Sequence, residues 1–260
     1  RINQHGFRDR RDLRRSTAVD LFVVGDSFSM GHGVEEDRRY SSLLDSSLDI
    51  DVYNISIPTG LDGYIALIKY ARKQGATIRN LVIGICMEND LITFDAPLFE
   101  QETDSSSVNF SQGHGPGLLY TAKSYLTLHS ATYGALTSVI HSRHYLSSTA
   151  IVLGLLVPNF EGMVRQRYSR QVVDATAAKI AQVAMGAGEK AYVLIIPSRA
   201  LWTGGNETVQ KQIHDELVDA LMGFGLNVID MRPHFERAGN PLSYHFTTDG
   251  HWNNDGHKKV

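Results

Sequence analysis

Residues 21–31 read LFVVGDSFSMG, and the fold can be worked out from this stretch. Four apolar residues predict a short buried strand, which runs directly into Gly25, Asp26 and Ser27. In an open α/β sheet, ligands bind at the carboxyl ends of the strands. A serine presented there, on a turn that leads into a helix, is a candidate nucleophile. Such a serine needs a general base and hydrogen-bond donors for an oxyanion from other parts of the chain.

Apolar runs bounded by turn residues recur along the chain at intervals that leave room for helices. They lie at residues 19–24, 51–55, 80–86, 191–196 and 226–229. Their near-continuous Val, Ile and Leu content, without alternation, is typical of parallel strands buried on both faces. We therefore predict a five-stranded parallel sheet.

Helical patterns occupy the intervals between these strands, at residues 38–48, 63–74, 170–185 and 208–222. The first of them places Leu43, Leu44 and Leu48 on one face. Alternation of strands and helices argues for a doubly wound α/β sheet. We predict one flavodoxin-like α/β domain over residues 1–260, with a three-layer α/β/α architecture.

Two segments break this rhythm. Residues 1–18 form an N-terminal arm, in which residues 1–15 carry six arginines against Asp9 and Asp12. We expect a solvated arm packed along the domain, with a juxtamembrane or polyanion-facing arm as the alternative. Residues 93–160 combine a polar, glycine-rich loop with a long amphipathic stretch. They predict a helical insertion between the third and fourth strands that forms a lid or a pocket wall.

The bulk composition narrows the class of protein only slightly. The net charge of −3 gives no general attraction to nucleic acid, and Cys86 is the single cysteine, so no intrachain disulfide can form. No apolar run approaches the roughly 18 residues that a membrane span needs. The chain begins at Arg1 and stops at Val260, and we expect a segment of a longer chain. The cellular compartment therefore stays open, since a bacterial cytoplasmic, periplasmic or secreted location is equally compatible with the sequence. Contact with a membrane through segments beyond this sequence stays open as well.

A candidate base for Ser27 occurs near the end of the chain. With eleven histidines a lone one is uninformative, but His251 lies in residues 248–253, which read TDGHWN. Asp249, two residues earlier, can reach the ring nitrogen that faces away from the serine if the chain turns at Gly250. This segment follows the fifth predicted strand and falls at the same edge of the sheet. We predict Ser27, His251 and Asp249 as the catalytic residues.

Donors for an oxyanion are expected at the ends of three strands. The backbone amide of Ser27 lies at the start of the helix that follows it. Gly60 comes after the second strand, where a glycine lets a backbone N–H approach a ligand closely. Asn89 comes after the third strand, and its side-chain amide is a third donor, although an asparagine there is also a common helix N-cap.

Together these residues resemble the sequence blocks of the SGNH hydrolases, the GDSL-type esterase and lipase superfamily. The resemblance covers nearly the whole chain outside the insertion. Residues 25–29, GDSFS, are similar to the first block, which implies Ser27 as nucleophile and oxyanion donor. Gly60 and Asn89 are similar to the glycine and asparagine of the next two blocks, which implies the other two donors. Asp249 and His251 are similar to the last block, with His251 as base and Asp249 as its orienter.

The resemblance implies an acyl-enzyme on Ser27 and hydrolysis of acyl or carbohydrate esters. Two departures bear on this expectation. Gly60 stands one residue later than the family spacing, so the Thr59 amide is the alternative donor. Asp249 and His251 are two residues apart rather than three, a spacing similar to that of alginate-type O-acetyltransferases. The alternative functions are therefore an O-acyltransferase that modifies a glycan hydroxyl and, third, a non-catalytic glycan-binding domain.

Three further residues are weaker candidates for contact with substrate. Asp26 is one, with a hydrogen bond to its own turn as the alternative role. Arg199 follows the fourth strand and binds either an anionic substrate group or a structural ion-pair partner. Trp252 either touches the substrate or packs beneath the loop of His251. His32, between two glycines, is not expected to be catalytic.

A metal site is the remaining alternative for the carboxylates and histidines near Ser27. Its ligands would come from Asp26, Asp249, His251, Asp255 and His257, but these residues lack a tight metal-ligand spacing. We therefore predict no metal and no organic cofactor. The predicted partner is a small-molecule or glycan acyl ester, and not a nucleic acid.

Overall fold

The computed structural model describes residues 2–88, 90–91, 170–203, 207–247 and 250–260. The strands in these ranges are β1 (Leu21–Gly25), β2 (Val52–Asn54), β3 (Asn80–Cys86), β4 (Lys190–Ile196) and β5 (Asn227–Asp230). They form a five-stranded sheet in the order β2-β1-β3-β4-β5, and every neighbouring pair is parallel. The predicted parallel sheet is therefore confirmed.

Helices lie on both faces of this sheet. In chain order the described ones are α1 (Ser27–Met30), α2 (Tyr40–Ser47), α3 (Leu61–Lys73), α4 (Arg170–Ala187), α5 (Glu207–Gly223), α6 (Arg232–Glu236) and α7 (Asn254–Lys259). The predicted helical insertion at 93–160, and its role as a lid, lie outside the described residues.

Alternate side chains of each central strand enter two separate cores. Phe22 and Val24 of β1 join the core that α3, α4 and α5 cover. Leu21 and Val23 join the opposite core, which contains Trp252 and apolar residues of α2 and α6. Because both faces of the strands are buried, the strands need apolar residues at consecutive positions. The three-layer α/β/α architecture predicted from these runs is confirmed.

The first strand starts two residues later than predicted. Val19 is 65% exposed, and β1 begins at Leu21. The Asp20 carboxylate accepts hydrogen bonds from the Thr17 N–H at 2.6 Å and the Thr17 hydroxyl at 3.0 Å. A side chain that accepts a hydrogen bond from the backbone three residues earlier forms a turn. This turn keeps Val19 out of the strand, which begins after it.

The buried face of α2 combines hydroxyl side chains with Leu44, which packs against the core, so the leucine face predicted for α2 is only partly formed. Tyr40, Ser41 and Ser42 are buried, whereas Leu48 lies beyond the helix and is 44% exposed. The Ser41 hydroxyl accepts a hydrogen bond at 2.8 Å from the side-chain amide of Asn54 in edge strand β2. Because β2 presents an amide at this point, a small hydroxyl side chain satisfies it where a leucine would leave it unpaired.

The N-terminal arm packs against the domain with part of its residues buried, while Arg10, Arg14 and Arg15 are exposed. Phe7 and Leu13 are 1% exposed, and Asp9 is 3% exposed. Asp9 pairs with the buried Arg39 at 3.1 Å and accepts a hydrogen bond from the Asn54 N–H at 2.8 Å. The arm therefore caps a backbone donor of the edge strand, which otherwise has no neighbouring strand on that side.

Two paired glycines bring helix α1 directly onto the sheet. Gly25 of β1 lies in register with Gly84 of β3, and a β-carbon on either one would collide with the side chain of Ser29. The Ser29 hydroxyl accepts a hydrogen bond from the Tyr40 hydroxyl at 2.8 Å, and its carbonyl accepts one from Asn54 at 2.7 Å. Helix α1 is thereby fixed over the carboxyl ends of β1 and β3.

Candidate active site

Ser27 is the first residue of α1 and is partly buried at the carboxyl end of β1. Asp26, the N-cap, accepts a hydrogen bond from the Phe28 N–H at 2.9 Å. This bond satisfies one of the donors that a helix leaves free at its start and fixes the turn into the helix. Asp26 is 2% exposed and supports the turn, and a substrate contact for it stays a prediction.

His251 lies on a loop that the chain folds back on itself. His245 and Trp252 form an antiparallel bridge, and the Phe246 N–H donates to the His251 carbonyl at 2.8 Å. At the loop's start Asn253 donates from its side chain to the His245 carbonyl at 3.2 Å. Gly250 turns the chain with φ +85°, the left-handed conformation that glycine adopts most readily. These bonds fix the backbone on either side of His251.

Ser27 and His251 meet at the carboxyl edge of the sheet. The Nε2 atom of His251 lies 2.8 Å from the Oγ of Ser27, although the two residues are 224 positions apart in the chain. This distance is within reach for proton transfer from the hydroxyl to the ring nitrogen. A serine hydroxyl beside an imidazole has the arrangement of an activated nucleophile.

Two other rings contact the imidazole of His251. The ring centroid of Phe28 lies 4.7 Å from that of His251, and the centroid of His32 lies 4.6 Å from it. Phe28 is buried and belongs to the core beneath the site, whereas His32 is exposed. No motif in the sequence indicates His32 at the site, because only the tertiary structure brings its turn against the loop of His251.

Gly60, a predicted oxyanion donor, is the N-cap residue of α3 and is partly buried. The side chain of Thr59 packs against Gly63, one turn into the helix, where a β-carbon would lie 2.7 Å from the Thr59 Cβ. Backbone N–H groups at a helix start have no partner within the helix, and they can therefore bind a negative charge. Either the Gly60 or the Thr59 amide remains the predicted donor.

The predicted residues Asn89 and Asp249 lie outside the described residues. Glu88 accepts hydrogen bonds at 3.1 Å from the Ser198 hydroxyl and at 2.8 Å from the Arg199 N–H. Asp90 accepts one at 2.8 Å from the Cys86 N–H. The residues flanking position 89 are therefore bonded to the carboxyl ends of β3 and β4.

Asp90 is a buried carboxyl group that sequence analysis did not single out. It is fully buried and also accepts a hydrogen bond from the Tyr64 hydroxyl at 3.1 Å. Burial, reinforced by the nearby charge of Asp26, holds the pKa of Asp90 well above its usual range. In the sequence, a carboxyl group after a strand is typical of a helix cap and does not indicate burial. The burial of Asp90 depends on packing against Tyr64, which lies on another element, α3.

Trp252 and Arg199 differ in what they offer to a substrate. Trp252 is 0% exposed and packs among rings that include Phe28 and Phe235, at 5.5 and 5.4 Å between centroids. Trp252 therefore packs beneath the loop of His251, and its contact with a substrate stays a prediction. The guanidinium of Arg199 lies beside Gly250 at the same edge of the sheet, and an anion-binding role for it stays a prediction.

The alternative of a metal site finds no support in the described part of the chain. No three His, Cys, Asp or Glu side chains converge there as metal ligands would. His257, one of the residues considered, is buried, and its Nδ1 accepts the Tyr40 N–H at 3.3 Å. Within the same ranges, no helix is both long and apolar enough to cross a bilayer.

Two buried histidines predict a loss of stability in acid. Burial lowers the pKa of both His245 and His257 to about 4, and nearby arginines add to the shift, Arg199 for the first and Arg39 for the second. In the unfolded chain their pKa is 6.5, so between these values the unfolded state binds protons that the folded state does not. The stability that these neutral histidines contribute to the folded state is complete above the unfolded pKa of 6.5 and is lost as the pH falls towards 4. Each histidine should cost about 2–3 kcal/mol of unfolding free energy at pH 4.5 relative to pH 7.

Urea unfolding at a series of pH values measures this slope. Replacing His257 by glutamine should flatten the dependence between pH 6.5 and 4.5, whatever it does to stability at pH 7. Replacing the exposed His234 by glutamine is the matched control and should leave the slope unchanged. An equal slope in H257Q and wild type would contradict the assignment.

Comparison with known proteins places this geometry on a known fold. No protein-family model and no curated protein sequence matches the chain. A solved member of the lipolytic G-D-S-L family from Veillonella parvula matches it with a TM-score of 0.52, at 14% identity over 92% of each chain. The chain has the G-D-S-L fold. The fold implied by the resemblance to SGNH hydrolases is thereby confirmed.

Other solved structures with this fold are less similar in shape. A lipase/acylhydrolase from Enterococcus faecalis has a TM-score of 0.49 at 11% identity, over 92% of this chain and 89% of its own. A catalytic mutant of an acetylxylan esterase from Geobacillus stearothermophilus has a TM-score of 0.49 at 11% identity, over 95% and 92%.

Proposed function

We propose that the chain is a serine-dependent ester hydrolase that acts through an acyl-enzyme on Ser27. The observation that carries the proposal is the 2.8 Å contact between the Ser27 hydroxyl and His251 Nε2 at the carboxyl edge of the sheet. A non-catalytic binding domain would have no need for a serine in contact with a histidine base. The lipolytic and esterase neighbours on the same fold agree with ester chemistry.

The first half of the reaction forms the acyl-enzyme. His251 Nε2 takes the proton of the Ser27 hydroxyl while Oγ attacks the carbonyl carbon of the ester. The Ser27 amide, the Gly60 amide and the Asn89 side chain are the proposed donors to the resulting oxyanion, where each preorganised donor stabilises charge that the ground state lacks. The tetrahedral intermediate then expels the alcohol, which takes the proton from His251.

The second half restores the enzyme. His251 removes a proton from water, and the hydroxide oxygen attacks the acyl carbonyl. Collapse of the intermediate breaks the bond to Ser27 Oγ, which regains its proton from His251, and the carboxylic acid leaves. The proposed role of Asp249 is to hold the His251 ring in the tautomer that this exchange requires and to stabilise the imidazolium.

An O-acyltransferase is the second candidate, favoured by the two-residue spacing of Asp249 and His251. The same residues would form the acyl-enzyme, and a glycan hydroxyl would replace water as the second nucleophile. A binding role without catalysis is the third and would leave Ser27 unreactive.

Incubation with acyl esters in ¹⁸O-labelled water distinguishes these functions. A hydrolase releases acid that carries one ¹⁸O atom, at a rate that added glycan does not change. A transferase yields an acylated glycan, detected by mass spectrometry, and little labelled acid. The proposal of ester chemistry would be overturned if neither labelled acid nor acylated glycan formed from short or long acyl esters and Ser27 did not react with a fluorophosphonate probe.

A further inference from the structure

The turn that follows the nucleophile helix is unusually constrained. Gly31 and Gly33 both adopt left-handed backbone conformations, with φ +81° and +79°. A β-carbon on Gly31 would lie 2.8 Å from the Arg39 side chain, and one on Gly33 would lie 2.7 Å from the Phe246 ring. Both positions therefore need glycine for space as well as for conformation.

Hydrogen bonds hold the same turn from two sides. The His32 N–H donates to the Ser27 carbonyl at 2.9 Å. The guanidinium of Arg8, from the N-terminal arm, donates to the carbonyl of Met30 at 3.2 Å and to those of Gly31 and Val34. A guanidinium with fixed donors is suited to hold several carbonyls in one arrangement.

The side chain that this turn presents is the imidazole of His32. Its centroid lies 4.6 Å from that of His251, at an interplanar angle of 43°. His32 itself is exposed, so burial in the core does not explain why its turn is held so firmly. The held turn and the ring contact point instead to a role at the base.

We propose that His32 is a positioning residue for His251. Its ring packs on the imidazole of the base and, with Phe28, limits the orientations of that imidazole, so that Nε2 stays directed at Ser27 Oγ. A base held in the reactive geometry avoids an ordering step before proton transfer. This inference rests on the proposed function, in which His251 is the base.

Two substitutions test the packing role. His32→Ala removes the ring and should lower kcat for an acyl ester about tenfold, with KM changed less than about twofold. His32→Phe keeps an aromatic ring without its nitrogens and should restore kcat to within about threefold of wild type. His234→Ala, an exposed histidine on α6, is the matched control and should change neither parameter. Because His32 is exposed, circular dichroism and the unfolding midpoint should be unchanged in both variants.

A readout without turnover separates this inference from the proposed function. Side-chain NMR of ¹⁵N-labelled histidine reports the mobility of the His251 ring, which should rise in H32A and return in H32F. If the ring mobility changes in this way but neither the wild-type protein nor the variants turn over esters, the proposed function fails and the positioning role stands. If wild type is active and neither kcat nor ring mobility changes in H32A, the positioning role is wrong. A rise in KM alone would also overturn it, since that result indicates a contact with substrate.

Discussion

The Ser27→Ala variant is expected to lose ester-cleaving activity by about ten-thousand-fold in kcat/KM. The Ser27 Oγ is the atom that lies 2.8 Å from His251 Nε2, and without it the base has no hydroxyl to deprotonate. Residual activity would come from the oxyanion donors and from binding, which remain in the variant. Steady-state kinetics with an acyl ester and labelling by a fluorophosphonate probe measure the loss.

Ser47 provides the control for this substitution. It is an exposed serine of α2 whose hydroxyl bonds the Leu43 carbonyl at 2.8 Å, and S47A should react with substrate and probe as wild type does. S27A should keep the wild-type unfolding midpoint, since alanine fits where a small, partly buried serine stood. Equal labelling of S27A and wild type would show that Ser27 is not an activated nucleophile.

Asp9→Ala is expected to reduce the free energy of unfolding by about 3–5 kcal/mol, because it leaves the buried Arg39 without its carboxylate partner. Arg39 is 2% exposed, and Asp9 lies 3.1 Å from its guanidinium. The same carboxylate accepts the N–H groups of Arg11 and Asn54, at 2.9 and 2.8 Å. One substitution thus leaves the buried charge of Arg39 without a carboxylate and removes the acceptor of two backbone N–H groups. Urea unfolding, with the midpoint and the slope fitted separately, measures the cost.

The pair of Arg38 and Asp37 is the matched comparison for this effect. Their atoms lie 4.0 Å apart, and both side chains are mostly exposed, at 52% and 75%. Water screens such a pair, so Asp37→Ala should cost less than about 1 kcal/mol. If the Asp9 and Asp37 variants unfold at the same urea concentration, the arm does not contribute to the core as we describe.

Local patterns in the sequence predicted the sheet because each strand carries its own signal. Residues such as Val23 and Val24 on β1 are apolar at consecutive positions, since each faces a different core. The same reasoning held only in part for α2, where Leu44 packs against the core but Ser41 is buried and Leu48 is exposed. A helix pattern shows which residues share a face, but not that the side-chain amide of Asn54 on the next strand, β2, lies against that face and donates to a hydroxyl.

The N-terminal arm shows the same limit. Its arginines predict a solvated arm, and Arg10, Arg14 and Arg15 are exposed, but their charge does not show that Asp9 is buried against Arg39. Arg39 is buried against the carboxylate of Asp9, and Arg8 is ordered by the carbonyls around Gly31. In both cases the partner lies about 20 to 30 positions away in the chain. Whether a charged side chain is buried depends on such partners, which a composition cannot show.

Residues 21–31 alone determined that a buried strand ends in a helix-leading turn with Ser27 at its head. That result is local, because the apolar run, the Asp26 cap and the small Gly25 all lie within these eleven residues. The tertiary structure decided what surrounds the serine. It brought His251 to 2.8 Å from a residue 224 positions earlier, placed the ring of His32 against the His251 imidazole, and buried Trp252 in the core. These outcomes depend on packing between distant elements, and a reactive site exists only where such packing holds its groups within bonding distance.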